Sequence, residues 1–109
     1  MPATDAPVLD LLKTMTAESI EASTLDEESL MLVRIAALVA VDAPPASYLL
    51  NIGAAGDAGI DADQVQGVLA AVAPIVGTAR VASAAGNIVR ALGFAEELAE
   101  LAEEERARA

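Results

Sequence analysis

The residues best suited to chemistry in this chain of 109 are few and lie close together. Ser47, Tyr48 and Asn51 fall near the start of one expected helix, with Ser47 and Asn51 on a shared face at i,i+4. Arg34 sits in the apolar stretch before them. Such a set can line a small pocket in which Arg34 holds a carboxylate and Tyr48 or Asn51 positions a substrate oxygen. The same groups can instead satisfy one another, with Arg34 paired to Glu28, Asp42 or a neighbouring subunit. An arginine in an apolar helix needs a partner whether or not it is functional. A second polar row, Arg80, Ser83, Asn87 and Arg90, can line an anion site, form the wet face of a helix, or meet the acidic tail of another subunit.

Absences narrow the chemistry further. The chain has no Cys and no His. It therefore has no disulfide, no thiolate nucleophile and no Cys₄-type metal site. Without imidazole, conventional zinc, haem or His-base chemistry has no ligand. No cofactor or metal is expected. Gly53-x-x-Gly56-x-x-Gly59 follows no strand and has the wrong spacing for a phosphate loop, so close helix packing is the better account. Asp57, Asp61 and Asp63 lack the twelve-residue pattern and closing Glu of a calcium loop, and helix capping explains them.

The net charge of −11, with only six scattered cations, argues against nucleic acid and against an anionic membrane surface. No run reaches the ~18 apolar residues of a membrane span, and the N-terminus has no secretory pattern, so a cytoplasmic location is expected.

Helices must position these residues. Hydrophobic residues make up 55% of the chain and aromatics 2%, with Tyr48 and Phe94 the only two rings. Ala, Leu, Val and Ile must therefore supply a modest core, and leftover apolar faces become subunit interfaces. Met1 to Pro7 reads as a flexible arm. Val8, Leu11, Leu12 and Met15 then give a first helix to about Ala17. Asp26 caps the next helix, with Glu27 and Glu28 in its positive first turn. Its stretch from Leu30 to Val41 is apolar on nearly all sides and must be surrounded by protein.

Asp42-Ala43-Pro44-Pro45 ends that helix, and the next begins near Pro45 and stops at Gly59. A capping box, Asp61 with Gln64, opens a helix carrying Val65, Val68, Leu69, Val72 and Val76, which Pro74 ends or bends. Thr78 caps a fifth helix to Leu92, closed by Gly93. Residues 94–109 form an acidic C-terminal helix with Phe94, Leu98 and Leu101 inward and Glu104 within reach of Arg108. The expectation is one all-α domain over residues 1–109, a compact, homo-oligomeric bundle of about six helices.

The run from Leu25 to Leu92 resembles the carboxymuconolactone decarboxylase superfamily, which includes the alkylhydroperoxidase D-like proteins. Leu25-Asp26 opening a helix, followed by Leu32-Val33-Arg34-Ile35-Ala36, is similar to the family's L-D-x-x-T-R-E-L-V-R-L-A pattern. Ala58-Gly59-Ile60-Asp61 fits its A-G-[VA]-[ST] turn, and Ala73-Pro74-Ile75-Val76-Gly77 fits its A-x-x-x-G segment. The resemblance implies an all-helical fold of the alkylhydroperoxidase D-like type, assembled as a trimer or hexamer. Active members carry C-x-x-C, a His four residues after the second Cys, and often a Glu on the preceding helix. In register, the cysteine positions fall at Pro44 and Ser47, the His at Asn51, and the Glu at Met31 or Leu32.

The resemblance thus implies a degenerate member without thiol peroxidase chemistry. One reading is a non-catalytic oligomeric helical protein, a pseudoenzyme with a structural, small-ligand-binding or protein-binding role. The alternative is a cysteine-less decarboxylase or lactone- or carboxylate-processing enzyme. In it, Arg34 or Arg80 holds the anion and Tyr48, Ser47 or a carboxylate handles protons. A third reading has the acidic final helix meet a basic protein partner, in binding that weakens with salt.

Overall fold

The computed structural model describes residues 6–108, so the expected arm Met1 to Pro7 lies largely outside the described residues. Pro7 itself opens a helix. Five helices follow in order: α1 Pro7–Ala22, α2 Glu27–Ala40, α3 Pro45–Asp57, α4 Ala62–Val76 and α5 Thr78–Arg108. The described residues contain no strand, and the fold is all-α.

Local chemistry sets the boundaries. Asp26 Oδ1 accepts the Ser29 amide at 2.7 Å and caps α2. That bond to the Ser29 amide holds the Asp26 carboxyl below its ordinary range. At α4 the capping box is complete: Asp61 Oδ1 accepts from Gln64 N at 2.8 Å, and Gln64 Oε1 accepts from Asp61 N at 3.0 Å. Gln64 Nε2 also donates to Glu28 Oε1, tying the starts of α4 and α2 together. Gly59, at φ 85°, takes the left-handed conformation that ends α3, and the Ile60 amide reaches back to the Ala55 carbonyl at 3.0 Å.

Two boundaries differ from the sequence reading, and of the two alternatives at Pro74 the helix takes the one that continues. Helix α1 continues to Ala22, past Ala17. Helix α4 runs through Pro74 to Val76. A proline so near the end removes one backbone bond, and Gly77, at φ 89°, closes the helix just beyond it. The two helices expected after Thr78 are one helix of 31 residues, so there are five helices among the described residues and not six. Gly93 does not adopt positive φ. Its cost of about 1 kcal/mol within a helix is outweighed by the Ala-, Leu- and Glu-rich segment that follows.

Helix α2 is the centre of the bundle and packs against α3, α4 and α5. It buries Leu30, Met31, Ile35 and Val39, while Val33 remains 55% exposed. The central helix is therefore covered by three neighbours and not on all sides. The core forms two clusters. Leu30, Met31, Ile35 and Ala55 make one, and Val39, Ala43, Tyr48, Ala84 and Ala91 make the other.

Two apolar stripes lie outside this core. Helix α1 buries no residue, and Leu11, Leu12 and Met15 are exposed. Phe94, Leu98 and Leu101 were expected inward, yet they are 47%, 57% and 56% exposed. The reason is length. At 1.5 Å per residue α5 is about 46 Å long, against about 20 Å for each helix it packs on, so its second half extends past them.

Candidate functional site

Helices α2, α3, α4 and α5 leave a cleft of about 400 Å³ between them. Its walls draw on both core clusters, with Ile35 and Ala55 from one and Tyr48 from the other. Small residues make the gap: Ala55 and Gly56 on α3 and Ala85 on α5 all line it. Its volume falls within the range of small-molecule sites, and its lining is mainly aliphatic, from Ile52, Val65, Leu69, Ile88, Val89 and Leu92.

The polar groups on this wall are few. Tyr48 is only 3% exposed, and its hydroxyl has no hydrogen-bond partner among the described residues. An O–H buried without a partner is costly and is rare in folded proteins. Burial pushes the Tyr48 phenol above its ordinary value, and the Asp42 carboxylate adds to the shift, so the group is a neutral donor. Asn51 lines the same wall. Its Nδ2 donates to the Ser47 carbonyl at 2.9 Å, which leaves Oδ1 without a donor among the described residues. Gln66 and Asp61 complete the polar set at exposed positions.

The sequence brought Arg34, Ser47, Tyr48, Asn51 and Arg80 forward as a pocket. The structure gathers only Tyr48 and Asn51 at the cleft. Ser47 contributes its carbonyl to Asn51 and does not line the space. Arg34 Nη2 donates to Ser19 Oγ on α1 at 3.2 Å, where Glu28, Asp42 or another subunit had been considered. Arg80 Nη1 donates to the Ala40 carbonyl at 2.7 Å. No Lys or Arg lines the cleft.

The row on α5 has a structural role that sequence reasoning did not anticipate. Ser83 Oγ donates to Asp42 Oδ1 at 2.7 Å, and Asn87 Nδ2 donates to the Ala43 carbonyl at 3.1 Å. Arg90 Nη1 donates to Asn87 Oδ1 at 3.1 Å. With Arg80 on Ala40, the row grips the turn between α2 and α3 and satisfies a helix-end carbonyl. The glycine series also reads differently. A Cβ at Gly53, Gly56 or Gly59 would meet nothing within 4 Å, so close helix packing is not the reason for those glycines.

Sequence reasoning missed the aliphatic walls of the cleft. The available signal was the facing of small residues on α3 and α5 in a chain almost without aromatic fillers. Among the described residues, no three of His, Cys, Asp or Glu converge as a metal site, and no helix is long and apolar enough to cross a membrane. Comparison with protein-family models, with curated proteins and with solved structures finds no match.

Proposed function

We propose that this chain is a cysteine-free, non-catalytic protein of the carboxymuconolactone decarboxylase-like type that self-associates and holds a small molecule in the cleft between α2 and α5. The observation that carries the ligand-binding reading is the cleft itself: about 400 Å³ and mainly aliphatic. What supports a binder over a cysteine-less decarboxylase or lactonase is the placement of the charges. Arg34 and Arg80, the residues that would hold a substrate anion, spend hydrogen bonds elsewhere and lie off the cleft.

Self-association is supported by the two uncovered stripes. An isolated helix of 16 residues is marginal in water, and α1 buries none of its side chains in its own chain. The Phe94–Leu98–Leu101 stripe of a second copy offers a matching apolar surface. A trimer or hexamer, and a cytoplasmic location, belong to the same proposal.

The test is a thermal-shift screen of uncharged apolar molecules and small carboxylates, with mass measured in solution. A ligand at a hundred times its dissociation constant adds about 2.7 kcal/mol, which raises the midpoint by several degrees for a domain of this size. A monomer that no compound stabilises would defeat the reading.

A further inference from the structure

We infer that the cleft takes an uncharged, largely hydrocarbon molecule of about 16 non-hydrogen atoms and turns anions away. The inference rests on the cleft-binding reading above and names the chemical class of its ligand.

The depth of the cleft and its rim differ in chemistry. Ile35 and Ala55 are buried, and Ile52, Leu69 and Ile88 are half-buried, so a hydrocarbon body gains by the water it displaces. Asn51 is the one amide among the half-buried lining residues, while Asp61 and Gln66 stand at exposed positions. Size follows from volume. An apolar cavity of about 150 Å³ holds one benzene, so a cleft of about 400 Å³ has room in proportion for about 16 non-hydrogen atoms.

Charge decides the class. No Lys or Arg lines the cleft, and its one charged lining residue is the carboxylate Asp61. The amides of Asn51 and Gln66 can donate to a neutral or an anionic oxygen, but neither supplies a counter-charge. The N-terminus of α4 opens on the cleft at Asp61 and Ala62, and a helix end of that kind attracts anions. Here two carboxylates already answer it: Asp61 Oδ1 accepts from Gln64 N, and Asp63 lies in the first turn. Glu28 meets Gln64 at the same corner. An anionic ligand would therefore leave water without a counter-charge, beside carboxylates, in a chain of net charge −11.

Two fluorescent probes built on one ring system test this: N-phenyl-1-naphthylamine, which is neutral and close to the required size, and 8-anilinonaphthalene-1-sulfonate, which adds a sulfonate. Each is titrated with the full chain at physiological ionic strength, and the gain in emission gives a dissociation constant. The neutral probe should bind at least about tenfold tighter than the sulfonate. Gly56→Leu, at a position where a Cβ meets open space, should abolish that binding, and Ala85→Leu provides a second block. Both positions are exposed, so helix content should stay at the wild-type level. Gln66→Arg places the missing cation on the exposed rim. It should tighten the sulfonate about twofold to fivefold and leave the neutral probe within about twofold.

A sulfonate that binds as tightly as the neutral probe, and is blocked by Gly56→Leu and Ala85→Leu, overturns the ligand class but leaves the cleft-binding reading standing. A preference for the neutral probe that Gln66→Arg leaves unchanged overturns the class as well, because size and not charge would then do the sorting. No binding of either probe, or binding that both blocking variants leave intact, overturns the inference and the cleft-binding reading together.

Discussion

Ser83 on α5 donates its hydroxyl hydrogen to Asp42 Oδ1 at 2.7 Å, and Asp42 is the one non-glycine residue among those described with a positive φ, 55°. The bond joins the far end of the chain to the residue that ends α2. Asp42 occupies the left-handed position of the helix stop: its amide reaches the Val39 carbonyl and the Ala43 amide reaches Leu38, at 3.1 and 3.0 Å. Aspartate tolerates this conformation better than most residues because its short side chain can find a local partner.

Substitutions at position 42 should therefore rank in a particular order. Asp42→Ala loses the bond and keeps the backbone strain, and should cost about 1–2 kcal/mol. Asp42→Gly loses the bond but relieves the strain, and should stay within about 0.5 kcal/mol of wild type by the same accounting. Ser83→Ala should cost about 0.5–1 kcal/mol, since the bond is exposed. Urea unfolding reads all three. Equal losses for Asp42→Ala and Asp42→Gly would mean that the turn is not left-handed at this residue.

Gly93 offers a sharper contrast between the expected break and the observed helix. It lies inside α5, lacks positive φ, and a Cβ there would meet nothing within 4 Å. Gly93→Ala should raise stability by about 0.5–1 kcal/mol, because alanine loses less backbone freedom in a helix. A true helix stop at this position would give a loss of similar size. The sign of the change in urea midpoint decides between them.

Elements with local causes were legible in the sequence. Asp26 and the Asp61–Gln64 box act on amides three residues away, so spacing alone identified them. Gly59 stopped a helix as its backbone freedom suggested, and the Glu104–Arg108 pair formed at 3.5 Å. What could not be read depended on distance along the chain. The grip of Arg80, Ser83 and Asn87 on the α2–α3 turn spans about forty residues, and nothing in the local pattern distinguishes it from a wet face. The cleft was hidden for the same reason: Tyr48 and Asn51 were visible as polar residues, but their aliphatic surroundings come from three other helices. Gly93 misled because propensity is weak evidence against a long run of strong helix formers.

The uncovered stripes lead to a prediction about salt. Chains of net charge −11 repel one another, so association through Leu11, Leu12 and Met15 on one copy and Phe94, Leu98 and Leu101 on another should strengthen as salt screens the repulsion. Light scattering at low and at physiological ionic strength should show a larger mass at the higher salt. Leu12→Glu or Leu98→Glu should yield a folded monomer, because each side chain is exposed within its own chain. An adaptor role for the acidic helix would show the opposite dependence, with capture of a basic partner weakening as salt is added.

The buried phenol makes a prediction at alkaline pH. Tyr48 is the only tyrosine and the chain has no tryptophan, so phenolate absorbance reports this residue alone. Burial first, and the Asp42 carboxylate second, raise its pKa above the ordinary value of 10.0. The folded state therefore holds the proton at pH values where the unfolded chain has lost it, and the unfolded state binds fewer protons over that window. Stability attributable to this group is complete below pH 10.0 and falls as pH rises from there through the folded-state pKa. Native protein should show its phenolate transition above that of the urea-unfolded chain. Asp42→Asn should bring the native transition down part of the way, since it removes the charge and leaves the burial. Tyr48→Phe should flatten the loss of stability over this range. Coincident transitions in native and unfolded protein would mean that the hydroxyl is open to water.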